Sequence, residues 1–81
     1  MSQSDASKKI ILKNLGKNIK KLRQQQGLSQ EELAFKIDSA RNFIGCIERA
    51  EKSATIYTLF RIAQALNVKL EVLVKDIDNT D

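Results

Sequence analysis

The sequence contains no histidine, no tryptophan and a single cysteine among its 81 residues. Without histidine and with one thiol, the chain lacks the residues of the common zinc sites. The same absences exclude Ser-His and Cys-His nucleophile pairs and acid–base catalysis by imidazole. Its three glycines, Gly16, Gly27 and Gly45, are isolated, so no glycine-rich phosphate loop is present. We expect no metal, no cofactor and no enzyme, although catalysis by carboxylates alone stays open.

Long apolar segments are missing as well. No stretch approaches the roughly 20 apolar residues that a membrane-spanning helix needs. The first nine residues, MSQSDASKK, contain no apolar signal-peptide core. The single cysteine excludes a disulfide within the chain. Together these absences predict a cytoplasmic protein.

The charge is mildly basic and unevenly distributed. The formal net charge is +4, which suits an acidic partner without identifying one. The basic residues that precede the central motif are Lys8, Lys9, Lys13, Lys17, Lys20 and Lys21. These lysines form either a solvated helix face or a surface that approaches phosphates. The acidic residues of the tail are Asp76, Asp78 and Asp81.

The chain has the length of one domain, and a domain of this size gains stability from dimerisation. We expect a disordered N-terminus over residues 1–7, a folded domain over 8–75 and a frayed acidic tail over 76–81. Ser7 is suited to cap a first helix that starts near Lys8, and Gly27 to end it. Because Gly16 weakens this helix, we expect a close helix contact there.

The most informative segment is residues 29–49. Ser29 and Glu32 have the spacing of a capping box, so they predict the start of a helix. The Asp38-Ser39 pair favours a turn. Ile44 and Ile47 then give a second apolar stripe at helical spacing. Two short helices joined by so short a turn predict a helix-turn-helix.

The second helix of this motif carries Arg41 and Asn42 near its N-terminal end. With Ile44 and Ile47 facing inward, these two residues lie on the outer flanks, as do Gly45 and Cys46. The N-terminal end of such a helix meets base edges in the DNA major groove. Arginine can donate two bonds to guanine, and asparagine can pair with adenine. A polar start to an ordinary surface helix is the alternative.

The segments LSQEELA and RNFIGCIER resemble the Cro and phage-repressor type of helix-turn-helix, the XRE family, and the likeness covers residues 15–66. The resemblance implies base contacts from Arg41, Asn42 and Cys46. It implies phosphate contacts from Gln30, Phe43, Arg49 and the segment that follows, where Lys52 and Ser53 lie. It also implies a buried ion pair between Arg23 and Glu48. Asp38, Ser39 and Ala40 depart from the family pattern, which leaves Ser39 as a possible cap of the second helix.

A further helix is predicted after Thr55, which is suited to cap it. Its apolar stripe is Ile56, Leu59, Ile62, Ala63 and Leu66. Tyr57 and Phe60 lie off the core direction and predict a subunit contact. Residues 68–75 alternate between β-branched and charged residues, which favours a strand that pairs across a dimer, although a fifth helix fits too. The predicted dimer interface, within residues 57–75, is Tyr57, Phe60, Val68, Leu70, Val72 and Val74.

The fold class predicted is therefore all-α: a four- to five-helix repressor-like domain with a short C-terminal strand. Residues 54–75 are similar to the end of Hip-type antitoxins, which are autoregulating dimers that bind a kinase-fold toxin. AFKI and IGCIER are also close to motifs of restriction-modification controller proteins, which end in a helix instead. We expect a homodimeric regulator of a palindromic double-stranded operator, either an autoregulating repressor and antitoxin, a controller protein or a stand-alone phage-type repressor.

Overall fold

The computed structural model describes residues 3–79, which form five helices and no strand. The helices are α1 (Gln3–Gln25), α2 (Gln30–Lys36), α3 (Phe43–Glu48), α4 (Ile56–Ala65) and α5 (Leu70–Leu73). Helix α1 contacts α3 and α5, α2 contacts α3 and α4, and α4 contacts α5. This arrangement confirms the all-α helix-turn-helix fold.

One core lies between these helices. Its largest fully buried side chains are Ile19, Leu33, Ile44, Ile47, Ile62, Leu66 and Leu73. All five helices therefore contribute side chains to the core. The N-terminal part of α1 extends beyond it. The inward orientation of Ile44 and Ile47 agrees with the helical spacing that predicted it.

Helix α1 is longer than predicted. We expected it to begin near Lys8, after disordered residues 1–7, but it begins at Gln3. Residues 1 and 2 lie outside the described part of the chain. Of residues 3–7, glutamine and alanine have high helix propensity. Lys8 and Lys9 follow this extension and are exposed.

The starts of α2 and α4 are capped as predicted. The Ser29 side chain accepts a hydrogen bond from the Glu32 backbone N–H at 3.0 Å, and Glu32 accepts one in return from the Ser29 N–H at 2.8 Å. The Thr55 hydroxyl accepts a hydrogen bond from the Thr58 N–H at 3.1 Å. These caps satisfy backbone donors that have no partner within the helix.

Four helices end with the same pair of backbone hydrogen bonds. After α1, the Gly27 N–H donates to the Gln24 carbonyl and the Leu28 N–H donates to the Arg23 carbonyl, which is the Schellman arrangement. Such an end needs a residue at positive φ. Gly27 supplies it at 71° without strain, whereas Ala50, which follows α3, adopts 61°. A left-handed conformation costs an L-residue roughly 1–2 kcal/mol.

The C-terminal strand predicted over residues 68–75 is wrong, because this segment contains the short helix α5. Leu73 is fully buried, and Leu70, Val74 and Ile77 pack against the core. These four residues are spaced for a helix, which lets them reach the core together. A strand would have placed successive residues on opposite faces and left its backbone unpaired.

Two asparagines of α1 hold the C-terminal segment. The Asn18 side-chain amide donates to the carbonyls of Leu73 and Lys75, both at 2.9 Å. The Asn14 amide donates to the Ile77 carbonyl at 3.0 Å and more weakly to that of Asn79 at 3.4 Å. The acidic tail is thus packed against α1 as far as residue 79, contrary to the fraying that we expected. Residues 80 and 81 lie outside the described part.

Candidate nucleic-acid interface

Arg41 and Asn42 lie directly before α3 and are exposed. Helix α3 begins at Phe43, and Asn42 occupies its N-cap position without a side-chain capping hydrogen bond. Ser39 is therefore not the cap, because its hydroxyl donates instead towards the carbonyls of Ala34 and Ala40. With its capping function unused, the Asn42 amide remains available to an external partner.

The Arg41 guanidinium has one nearby carboxylate. Its Nε lies 3.7 Å from Oε2 of Glu31, and the two side chains are 82% and 68% exposed. An exposed ion pair at this distance contributes at most about 1 kcal/mol. The pair orients Arg41 outward beside the start of α2, and it is weak enough to exchange for a ligand.

The opposite end of α3 is fixed by a buried ion pair between Arg23 and Glu48. Arg23 Nε donates to Glu48 Oε2 at 2.7 Å, and Nη2 donates to Oε1 at 3.1 Å. The remaining guanidinium nitrogen, Nη1, donates to the Leu28 carbonyl at 2.8 Å. The side chains are 9% and 3% exposed. This geometry joins the end of α1 to the end of α3 with every charged group satisfied.

Gly16 lets α1 approach α3 closely. A methyl group built at Gly16 would lie 2.5 Å from the Glu48 carbonyl oxygen and 2.9 Å from that of Ile47. Both contacts are to backbone, so neither can be relieved by a side-chain rotation. The close contact expected from the sequence at Gly16 is therefore with α3, and the missing side chain permits the short distance between α1 and α3.

Gln30 is directed towards Glu48. Its Nε2 donates to Glu48 Oε1 at 2.9 Å, which makes Gln30 a third member of the Arg23–Glu48 network. This contact holds the side chain at the start of α2 while one amide N–H remains for another acceptor. The predicted phosphate contact of Gln30 stays a prediction.

Gly45 and Cys46 do not lie on an open outer flank, contrary to the sequence interpretation. Both are buried, and Cys46 is 9% exposed. Gln30 Oε1 and Arg49 Nη1 lie within 3.1 Å of the position that a Gly45 side chain would occupy. Arg49 Nη2 also approaches the Cys46 sulfur at 3.9 Å. Because neighbouring side chains cover the thiol, we remove Cys46 from the predicted base contacts. Phe43 is half-buried and packs against the core.

Arg49 is exposed and forms a two-point ion pair with Glu51. Nε donates to Oε2 at 2.9 Å and Nη2 donates to Oε1 at 3.2 Å. These hydrogen bonds raise the pKa of Arg49 above its ordinary value and lower the pKa of Glu51 below its own. Lys52 and Ser53 follow and are exposed. The loop after α3 therefore presents donors at the C-terminal end of the motif.

Sequence reasoning missed the carboxylates that face these arginines. Glu31 lies ten residues before Arg41, and no periodic pattern links positions on different helices. Glu51 is only two residues from Arg49, but the pairing depends on the turn at Ala50. Only the Arg49–Glu51 pair had a local signal in the sequence. A helix that ends with a residue in the left-handed conformation brings the residues that follow back beside its last turn.

The predicted dimer residues divide into two groups. Phe60, Val68 and Leu70 line one groove beside α4, and the Tyr57 and Phe60 rings are 6.4 Å apart. Val72 lines a different groove, between α5 and α1, and Val74 packs towards the core. The strand that would have aligned Val68, Leu70, Val72 and Val74 does not form within the described residues. Ile56, predicted to be buried, is 66% exposed because it lies on the first turn of α4, beyond the core.

A comparison with family models gives a match to HTH_3, described as helix-turn-helix, over residues 19–73. This chain belongs to the HTH_3 helix-turn-helix family. It is a DNA-binding transcriptional regulator. The matched range runs from the core of α1 through α5, so it includes the exposed Arg41–Asn42 pair, the buried Arg23–Glu48 pair and the loop after α3.

Relatives of this HTH_3 protein cover most of its length. The uncharacterized HTH-type transcriptional regulator y4dJ of Sinorhizobium fredii is 35% identical over 68 residues, which are 84% of this chain and 88% of the relative. Control protein C.SmaI of Serratia marcescens is 36% identical over 73 residues, 90% and 87% of the two chains. The structure of the restriction-modification controller protein C.Esp1396I was solved as a tetramer with its natural 35-base-pair operator. It aligns with a TM-score of 0.71 and 37% identity, and the alignment covers 83% of this chain and 93% of the controller chain.

The antitoxin role suggested by the resemblance of residues 54–75 finds no support in the fold. That interpretation depended on C-terminal strands shared by two subunits, and α5 replaces the strand within the described residues. A controller-like chain, by contrast, was expected to end in a helix. Across residues 3–79, no helix has the length and apolar character to cross a membrane.

Proposed function

We propose that this protein is a homodimeric regulator that binds a palindromic operator with α3 and its preceding residues. One observation carries the proposal: Arg41 and Asn42 are exposed at one end of a helix whose other end is fixed by the buried Arg23–Glu48 pair. A reading surface needs side chains that are accessible on a support that does not move. Arg41 and Asn42, before the N-terminal end of α3, supply the accessible side chains, and the Arg23–Glu48 pair at the C-terminal end supplies the fixed support.

Arg41 and Asn42 are assigned to base edges, and the loop after α3 to the phosphate backbone. Arginine and asparagine both form bidentate contacts with purines in the major groove. Arg49, Lys52 and Ser53 are exposed donors just beyond α3, while Phe43 begins α3 and Gln30 contacts Glu48 at its other end. Phosphate contacts from such groups fix the register of the protein without selecting a sequence.

Dimerisation is assigned to the groove lined by Phe60, Val68 and Leu70, together with Tyr57. Tyr57 and Phe60 are 66% and 47% exposed, which is unusual for neighbouring aromatic rings on a small domain. Two copies related by a two-fold axis would present two reading surfaces, which suits half-sites about 34 Å apart. The tetrameric complex of C.Esp1396I with its operator supports assembly on DNA.

Selection of duplexes from a random library tests the proposal. We expect enriched sequences to be palindromic, with half-site centres separated by about one helical turn. A dimer that makes about 6–10 phosphate contacts should lose about 10³–10⁵ in affinity between 50 and 200 mM salt. No enrichment, or enrichment of a single unrepeated half-site, would contradict the proposal.

Sedimentation of a Phe60→Asp variant tests the assigned interface. A buried charge at Phe60 should convert the dimer to a monomer, because an unpaired charge in an apolar contact is costly. Ile10→Asp is the matched control, since Ile10 is a partly exposed apolar residue on α1, outside the groove. A dimeric Phe60→Asp variant, or equal dissociation of both variants, would show that the groove is not the interface.

The finer role that we propose is control of restriction-modification genes. The motifs AFKI and IGCIER, the C-terminal helix and the relatives C.SmaI and C.Esp1396I support it. The test is whether the selected operator lies upstream of this gene and of an adjacent endonuclease gene, with transcription from that promoter responding to the protein. A response confined to unrelated genes would favour a general repressor instead.

A further inference from the structure

The N-terminal part of α1 lies beside the loop that follows α3. Lys8, Lys9 and Leu12 line one side of a shallow groove. Residues 50–53 line the other side. The groove therefore joins the N-terminal part of α1 to the loop already assigned to phosphate contacts.

The charges around this groove are predominantly positive. Lys8, Lys9 and Lys52 are exposed, and Ser53 adds a hydroxyl donor. The one carboxylate in the lining, Glu51, is engaged by Arg49 through two hydrogen bonds. A polyanion that follows the loop after α3 would meet three lysines, two of which come from α1.

The other lysines of α1 are placed differently. Lys17, Lys20 and Lys21 line a groove with Gln24 and Gln25, near the C-terminal end of the helix. At 1.5 Å per residue, about 18 Å of helix separates Lys9 from Lys21. Lys17 and Lys21 also line the groove with Val72 and Asp76 of the C-terminal segment, whereas Lys8 and Lys9 line the groove with the loop after α3.

We propose that Lys8 and Lys9 bind backbone phosphates of duplex DNA that flanks each half-site, extending the contact made by Lys52 and Ser53. This inference rests on the proposed operator binding. Lysine is a compact charge on a flexible stem, which suits phosphate contacts that carry no sequence information. These two lysines therefore increase affinity and footprint, while Arg41 and Asn42 determine the sequence that is bound.

The test compares Lys8→Gln/Lys9→Gln with Lys20→Gln/Lys21→Gln on the operator selected by the wild type. Both double variants remove two positive charges from α1 and keep good helix formers, so long-range charge and helix propensity are matched. We expect the first variant alone to bind with a shallower salt dependence, because each lysine–phosphate interaction that it removes should reduce the slope by about 0.9. The slope of the second variant should equal that of the wild type.

Shortening the operator gives an independent readout. As flanking base pairs are removed, wild-type affinity should fall before the half-sites are reached, whereas the Lys8→Gln/Lys9→Gln variant should be insensitive to those base pairs. Equal slopes and equal length dependence for that variant and the wild type would overturn the inference and leave operator binding intact. A variant that loses its dimeric state instead would assign these lysines to a subunit contact, for example with a partner's acidic tail. Failure of the wild type to bind any duplex would overturn both proposals.

Discussion

The two ends of α3 carry ion pairs of the same chemical type in opposite environments. Glu48, at the C-terminal end, is 3% exposed and binds Arg23 at two points. Arg41, just before the N-terminal end, is 82% exposed and lies 3.7 Å from Glu31. The buried pair is completed by further hydrogen bonds from Gln30 and to Leu28. The exposed pair has no such network.

This contrast indicates that one ion pair positions α3 and the other leaves Arg41 free to recognise DNA. A buried charge that loses its partner cannot turn to water, so the Arg23–Glu48 pair holds one arrangement of α1 and α3. An exposed pair is screened by water and salt, so Arg41 can leave Glu31 for a base edge at little cost. Substitutions at the two ends should accordingly affect different measurements.

The largest effect is expected for Glu48→Gln. It leaves the Arg23 guanidinium buried without a counter-charge, which should lower the free energy of unfolding by about 3–5 kcal/mol in urea denaturation. Glu31→Gln makes the same chemical change at the exposed end and should alter stability by less than about 0.5 kcal/mol. Similar losses for both variants would remove the distinction between the two ends.

Arg41→Ala should reverse this pattern. Operator binding should weaken by roughly 1–3 kcal/mol and lose its preference at one base pair per half-site, while the unfolding midpoint stays unchanged. Lys52→Ala is the comparison, because loss of a phosphate contact should weaken all duplexes about equally. If Arg41→Ala kept the wild-type ratio of operator to scrambled-duplex affinity, Arg41 would not contact bases.

Gly16→Ala tests whether α3 is positioned by backbone contact with α1. The added methyl group would overlap two backbone carbonyls, and overpacking of this kind costs about 1–3 kcal/mol. The higher helix propensity of alanine offsets about 1 kcal/mol of that cost. Operator affinity should also fall because α3 must shift. Gly27→Ala, where no atom lies within 4 Å, should lose stability through its positive φ and leave affinity per folded molecule unchanged.

The smallest effect concerns pH and the capping box of α2. The hydrogen bond from the Ser29 backbone N–H, with a smaller one involving its side chain, holds the pKa of Glu32 below its ordinary value. Since the folded-state pKa lies below the unfolded one, about 4.3, this contribution is present above the unfolded pKa and lost as pH falls through the folded pKa. Glu32→Gln should therefore show a smaller fall in urea midpoint than the wild type between about pH 5 and pH 3. Parallel curves would contradict this assignment.

The sequence was sufficient where the signal is local. Ser29 and Glu32 predict the start of α2 because both hydrogen bonds of the box lie within four residues. Ile44 and Ile47 predict the buried side of α3 through helical periodicity alone. The Arg23–Glu48 pair came from family resemblance, since nothing in the spacing of two residues 25 positions apart indicates that they meet.

Non-local packing explains the failures. The alternation of residues 68–75 favours a strand, whereas the spacing of Leu70, Leu73, Val74 and Ile77 fits a helix. The helix forms because Leu73 enters the core and Asn18 of α1 binds the carbonyls of Leu73 and Lys75. Gly45 and Cys46 were assigned to the outside because their own helix gives no sign that Gln30 lies beside Gly45 and Arg49 beside Cys46. In both cases the deciding groups belong to other turns or helices.

The attachment of the C-terminal segment by Asn14 and Asn18 has an evolutionary consequence. Both asparagines bind main-chain carbonyls, which every amino acid supplies, so exposed side chains in residues 72–79 can change without loosening the segment. Related chains can therefore differ in the exposed side chains of this segment and still retain one fold.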